Sequence, residues 1–194
     1  MNNNIIRIAN CSGYYGDKLS AAKELVDGGP IDVLTGDYLA ELTMGILYSQ
    51  ILQRGRDKGY VATFLKQLKE IAQTCQDKNI KIVVNAGGLN PKSMSDEVES
   101  ILDDMNLSSR IAYIDGDDLS KDLQALQEEG EQFYNIDREI PLKDSGYQVL
   151  TANTYLGAWG IKEALDQNAD IVICPRVTDA SVVIGPAAWK FNWQ

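Results

Sequence analysis

Tyr147 to Gly185 reads YQVLTANTYLGAWGIKEALDQNADIVICPRVTDASVVIG: a polar turn, a helix, a buried strand and a loop crowded with functional groups. Tyr155, Leu156, Trp159, Ile161, Ala164 and Leu165 recur at three-to-four spacing, which predicts a one-sided helix begun by Asn153 and Thr154. Ile171 to Cys174 is a continuous apolar run, the pattern of a strand covered on both faces. Pro175, Arg176, Thr178 and Asp179 follow at the strand exit, where open α/β folds keep their ligand sites. The same residues allow a plainer reading, in which Arg176 pairs with Asp179 and Asn153 or Thr154 is only an N-cap.

Upstream, the same alternation repeats. Ile5 to Ala9 is a strand ending at Asn10-Cys11-Ser12, and the helix after it carries Asp17 near its start, where a carboxylate suits the helix dipole. Ile31 to Leu34 is a second strand, leading into Thr35-Gly36-Asp37. A helix continuing from there would set Asp37 and Glu41 four residues apart on one face; the alternative makes Asp37 a cap and gives Glu41 an ordinary ion pair. Gly59 to Lys78 is an amphipathic helix with Val61, Phe64, Leu65, Leu68, Ile71 and Ala72 as its stripe. Lys81 to Val84 is the third strand, opening into Asn85-Ala86-Gly87-Gly88, a turn that can bring backbone amides to an anion or serve simply as a tight turn. Ser93 or Ser95 then caps a helix from Asp96 to Met105. Arg110 to Ile114 is the fourth strand, and its exit holds Asp115, Asp117 and Asp118, read as a helix cap near Leu119 rather than a metal loop because the calcium-loop spacing is missing. Glu128 to Gly146 is a polar connection able to cover the mouth of a site.

Strand and helix in alternation predict a mostly parallel sheet flanked by helices, a Rossmann-like layered α/β domain over residues 1–194. Parallel strands bring their C-terminal ends to one rim, so Cys11-Ser12, Asp37, Asn85 with Gly87 and Gly88, Asp115-Asp117, and Arg176-Thr178-Asp179 should meet there. Arg176 would hold an anionic group, with Thr178 and Asp17 also on the substrate side. Asn85 and the Gly87 and Gly88 amides would polarise a carbonyl. Asp37, Glu41 and Asp179 are the candidates to move a proton.

Composition narrows the chemistry. The 194 residues carry no histidine, which removes imidazole catalysis and the common zinc motifs. Cys11, Cys75 and Cys174 are odd in number and widely spaced, with no CxxC, so the chain reads as cytoplasmic and the thiols as buried structure more than nucleophiles. A net charge of −10 leaves no basic face for nucleic acid. No stretch approaches the roughly 18 apolar residues of a membrane span, and no signal peptide is visible. No metal site is assigned, and the sequence names no cofactor. The expected partner is a small-molecule substrate.

Five ordered motifs, CSGYYGD, IDVLTGDYLAELTM, VVNAGGLNP, TANTYLGAWGIKEAL and DIVICPRVTDASVVIGPAAW, resemble the family named for acyclic terpene utilisation, AtuA, from about Ile5 to Trp189. The resemblance implies a part in the breakdown of acyclic isoprenoids such as citronellol and geraniol. It also implies a lyase or related step on a branched acyl-CoA or carboxylated intermediate, so a CoA thioester joins the expected partners. It carries no settled catalytic residues; Asp17, Asp37, Glu41, Asn85, Arg176 and Asp179 are the motif positions that correspond. Family members continue beyond the point where this chain stops, so the expectation is the N-terminal part of a larger domain, with exposed core-facing surface met by a missing C-terminal portion or by homo-oligomer formation. The competing expectations are a metabolite-binding or scaffold module without turnover, and an inactive fragment.

Overall fold

The computed structural model describes residues 4–194. Five strands, β1 (Ile8–Asn10), β2 (Val33–Gly36), β3 (Lys81–Val84), β4 (Ile111–Tyr113) and β5 (Ile171–Ile173), form an all-parallel sheet in the order β1-β2-β3-β5-β4. The helices are α1 (Ala21–Gly28), α2 (Glu41–Arg54), α3 (Ala62–Lys78), α4 (Pro91–Asp104), α5 (Leu123–Glu128), α6 (Trp159–Asp166) and α7 (Ser181–Phe191). The parallel α/β architecture is the one expected from the strand-helix alternation.

Side chains alternate across the strands and so build two cores. Leu34, Ile82, Val84, Ile171 and Ile173 face one side, under Val26, Phe64, Leu68, Ile71, Val98 and Leu102 of α1, α3 and α4. Val33, Val83, Val172 and Cys174 face the other, under Ile161, Leu165 and Val182 of α6 and α7. Chain direction explains the division. From β1 to β4 the chain moves one way across the sheet, then turns back to insert β5, and right-handed crossovers put the helices of opposite moves on opposite faces. After β3 the chain therefore passes to α4 on one face, and after the neighbouring β5 it passes to α7 on the other. The connections that leave these two neighbouring strands thus diverge to opposite faces of the sheet.

Several boundaries differ from the sequence reading. The first two strands start at Ile8 and Val33 because Arg7 and Asp32 lock together before them: the Asp32 carboxylate accepts from the Arg7 backbone N–H (2.7 Å) and guanidinium (2.8 Å). Asp37 and Glu41 are not a helical pair. Asp37 N–H donates to Ser12 O (2.9 Å) and Tyr38 N–H to Asn85 Oδ1 (2.7 Å), so this loop is tied to two other strand exits and α2 cannot begin before Glu41. Asn153 and Thr154 do not start α6, which begins at Trp159; residues 151–156 are held extended against the exits of β4 and β5. The apolar run after Ser181 is helix, with Pro186 inside it.

α4 is capped by Asn90, not by Ser93 or Ser95. Asn90 Oδ1 accepts from Ser93 N–H (3.2 Å), and Pro91 occupies the first helical position, where its missing N–H costs nothing. Asn90 Nδ2 also donates to Arg56 O (3.0 Å), tying the cap to the end of α2. Asn90→Ala is therefore expected to lower unfolding free energy by about 1–2 kcal/mol, and Ser95→Ala by less than about 0.5 kcal/mol, as read from urea denaturation midpoints.

Candidate functional site

The exits of β4 and β5 are stitched together before any site forms. Buried Asp117 accepts through Oδ2 from Arg176 N–H (3.2 Å) and Asn153 Nδ2 (2.8 Å), while its backbone carbonyl accepts from Thr154 N–H (2.8 Å). Leu156 N–H donates to Arg176 O (3.2 Å), and Thr178 N–H to Leu156 O (2.9 Å). The extended segment 151–156 thus runs beside the β5 exit and carries Tyr155 to Arg176. Burial raises the Asp117 carboxyl above its ordinary range, against the opposing pull of Asn153 and the Arg176 amide. Asp118 is separate: it is exposed, and its Oδ1 accepts from Ser120 N–H (2.8 Å) to make a turn ahead of α5. Among the described residues, no group of three or more His, Cys, Asp or Glu is arranged to hold a metal ion.

Arg176 is only 4% exposed. Its guanidinium lies over the Tyr155 ring, 4.4 Å from the centroid, and its Nη2 donates to Glu41 Oε1 (3.2 Å). The Tyr155 hydroxyl donates to the same oxygen. Those contacts, the tyrosine first, hold the Glu41 carboxyl below its ordinary range, and the Glu41 partnership in turn raises the Tyr155 hydroxyl. Arg176 Nη1 is buried and has no hydrogen-bond acceptor among the described residues. All three side chains line a cleft of about 420 Å3 whose apolar walls are Met44, Leu119, Leu123 and Phe133.

The other candidates fall around this centre in different ways. Asp37 is half-buried on the same rim; Asn85 Nδ2 donates to its Oδ1 (2.5 Å). Burial raises the Asp37 carboxyl, the nearby charge of Asp179 adds to the rise, and Asn85, the Leu39 backbone and Arg176 oppose it. Asp179 and Thr178 are exposed at the start of α7, where the Thr178 hydroxyl meets Ser181 Oγ (2.5 Å). Arg176 pairs with Glu41 and not with Asp179. Asp17 lies beyond β1 at the sheet edge, and its carboxylate accepts from Gly13 N–H (2.9 Å) and Lys18 N–H (2.7 Å), bonds that hold it below the ordinary range.

Gly87 and Gly88 are needed for space. A Cβ on Gly87 would meet Cys174 O at 2.7 Å; Gly88 has φ +55°, and a Cβ there would meet Gly59 O at 2.8 Å. Their amides are engaged within the protein, Gly87 N–H with Cys174 O (3.0 Å) and Gly88 N–H with Asn85 O (3.4 Å). The three cysteines are free and buried, and burial pushes each thiol up, Cys75 to about 12, which removes the thiolate a nucleophile needs.

The sequence matches the acyclic terpene utilisation family protein AtuA over residues 6–194. The chain belongs to that family. No curated protein and no solved structure matches it. Membership implies a role in acyclic terpene utilisation, and no described helix is long and apolar enough to cross a membrane. In this family member, Tyr155 is the cleft-lining side chain that the helical spacing had assigned elsewhere, to the apolar face of a helix. A visible signal was its place two residues after Asn153, in a polar stretch better suited to an extended loop.

Because Asp117 is raised, its ionisation opposes folding: its contribution is fully present below the ordinary value of 3.8 and is lost as pH rises through its raised value. Asp117→Asn can keep both hydrogen bonds through one oxygen. Its stability relative to the native chain should therefore increase as pH is raised from acid to neutral, whereas Asp117→Ala, which strands the Asn153 and Arg176 donors, should lose about 1–3 kcal/mol. Chemical denaturation across pH measures both.

Proposed function

We propose that the chain binds a branched, acidic intermediate of acyclic terpene breakdown, carboxylated or CoA-linked, in the cleft between the start of α2 and the exits of β4 and β5, and that Asp37 moves a proton on it. Arg176 carries the reading. A buried guanidinium with one nitrogen lacking an acceptor, lining a cleft with apolar walls, suits a ligand with an anionic head and a hydrocarbon body.

Of the three acids considered for proton transfer, Glu41 lines the cleft, while Asp37 lies outside its lining on the same rim, near enough for Arg176 to act on its charge, and is the better matched in proton affinity. Burial raises its proton affinity, which strengthens it as a base when ionised and keeps it available as an acid. Glu41 is held below its ordinary range by Tyr155 and Arg176 and is the weaker base. The chemistry this supports is removal or return of a proton beside the ligand's carbonyl, the step a lyase-type reaction needs. The free, buried cysteines accord with work in a reducing cytoplasm. A second reading, ligand binding without turnover, is favoured by one observation: the Gly87 and Gly88 amides are spent inside the protein and are not offered to a developing oxyanion.

Citronellate, an acyclic terpenoid acid, and its CoA thioester serve as probes. Arg176→Lys should weaken binding of the preferred probe by roughly tenfold or more. Asp37→Asn should leave that binding within about twofold and lower turnover by roughly a hundredfold or more. Ligand-induced shifts in melting temperature read the first and product formation the second. Binding indifferent to Arg176→Lys would refute the anchor, and turnover indifferent to Asp37→Asn would refute the proton role; binding with no turnover at all supports the second reading.

A further inference from the structure

Glu41 and Arg176 form an unequal pair. The Glu41 side chain is 81% exposed and is held through one oxygen, Oε1, by Arg176 Nη2 at 3.2 Å and by the Tyr155 hydroxyl. Arg176 is fixed from every other direction: its backbone N–H is on Asp117, its carbonyl is on Leu156, and its guanidinium lies over Tyr155. A guanidinium offers paired N–H groups that match both oxygens of one carboxylate, at about 2.7–2.9 Å in charge-assisted bonds. Glu41 fills half of that fork at a longer distance, and Nη1 is left over. Since the carboxylate of Glu41 is already largely in water, releasing it costs little.

We propose that the ligand's recognised head is a free carboxylate, which takes the Arg176 fork and the Tyr155 hydroxyl and displaces Glu41 into solvent. The inference rests on Arg176 being the anion anchor and adds the exchange and the chemical class. Exchange of one carboxylate for another keeps the buried guanidinium compensated throughout and satisfies Nη1. A thioester carbonyl is neutral: in the same seat it would leave the guanidinium uncompensated, so it cannot displace Glu41 on equal terms. The net charge of −10 also disfavours the phosphates of CoA, whereas Met44, Leu119, Leu123 and Phe133 suit the alkyl chain of an acid. Glu41 then acts as a resident competitor, a positioning residue that keeps the fork ordered until a stronger anion arrives.

Isothermal titration calorimetry with citronellate, its methyl ester and its CoA thioester tests the exchange on the native chain, Glu41→Gln, Arg176→Lys and Tyr155→Phe. Glu41→Gln removes the competing charge at an exposed side chain while keeping an oxygen for Arg176 Nη2, and it should tighten citronellate binding by roughly two- to fivefold while leaving the methyl ester unaffected. Arg176→Lys should weaken citronellate binding in either background; if that variant does not fold by circular dichroism, Tyr155→Phe, which keeps the ring and removes the hydroxyl, provides the same arm. If Glu41→Gln leaves citronellate binding unchanged or weaker while Arg176→Lys still weakens it, the exchange is wrong and the anchor stands. Loss of any Arg176 dependence overturns both. A CoA thioester or methyl ester that binds as tightly as the acid, or an acid that does not bind at all, overturns the free-carboxylate head.

Discussion

Arg176 sits at the end of the sheet with 4% of its surface exposed, and a charge taken that far from water costs several kcal/mol unless the protein compensates it. The architecture of the rim follows from that requirement. Asp117 fixes the backbone on which Arg176 is carried, Asn153 fixes Asp117, and the segment between Asn153 and Leu156 is held extended so that Tyr155 lies under the guanidinium. Glu41, at the first turn of a helix from the other side of the sheet, supplies the countercharge. Remove the buried cation and none of these arrangements has an evident purpose.

The sheet supplies the place where this is affordable. Its core strands are apolar on both faces, with Val33, Val83 and Val172 under one layer of helices and Leu34, Ile82 and Ile171 under the other. Polar groups are therefore confined to the strand ends. Glycine at residues 87 and 88 lets the β3 turn pack closely against Cys174 and Gly59.

Much of this was legible from residue patterns. Continuous apolar runs identified the inner strands, since a strand buried on both faces has no polar alternation, and parallelism followed from the helices between them. From parallelism came the common rim, and with it the grouping of Asp37, Asn85 and Arg176. What local pattern could not reveal was set by long-range bonds. Tyr155 fits a helical stripe by spacing, but the bonds from Asp117, thirty-odd residues earlier, hold its segment extended. Asp37 fits an i, i+4 pair with Glu41, but Ser12 and Asn85 hold it outside the helix. The α7 segment carries an internal Pro186 and little amphipathic contrast, so its helical character was masked. Strand order was beyond reach for the same reason: insertion of β5 between β3 and β4 is a tertiary choice.

The ion pair between Glu41 and Arg176 joins residues 135 positions apart. Closing so long a loop is slow, and the contacts that reward it come only after the helices and neighbouring strands have formed. During synthesis the countercharge at the start of α2 is made before its cation, which follows β5. The anion seat is thus complete only when the exits of β2 and β5 share one rim.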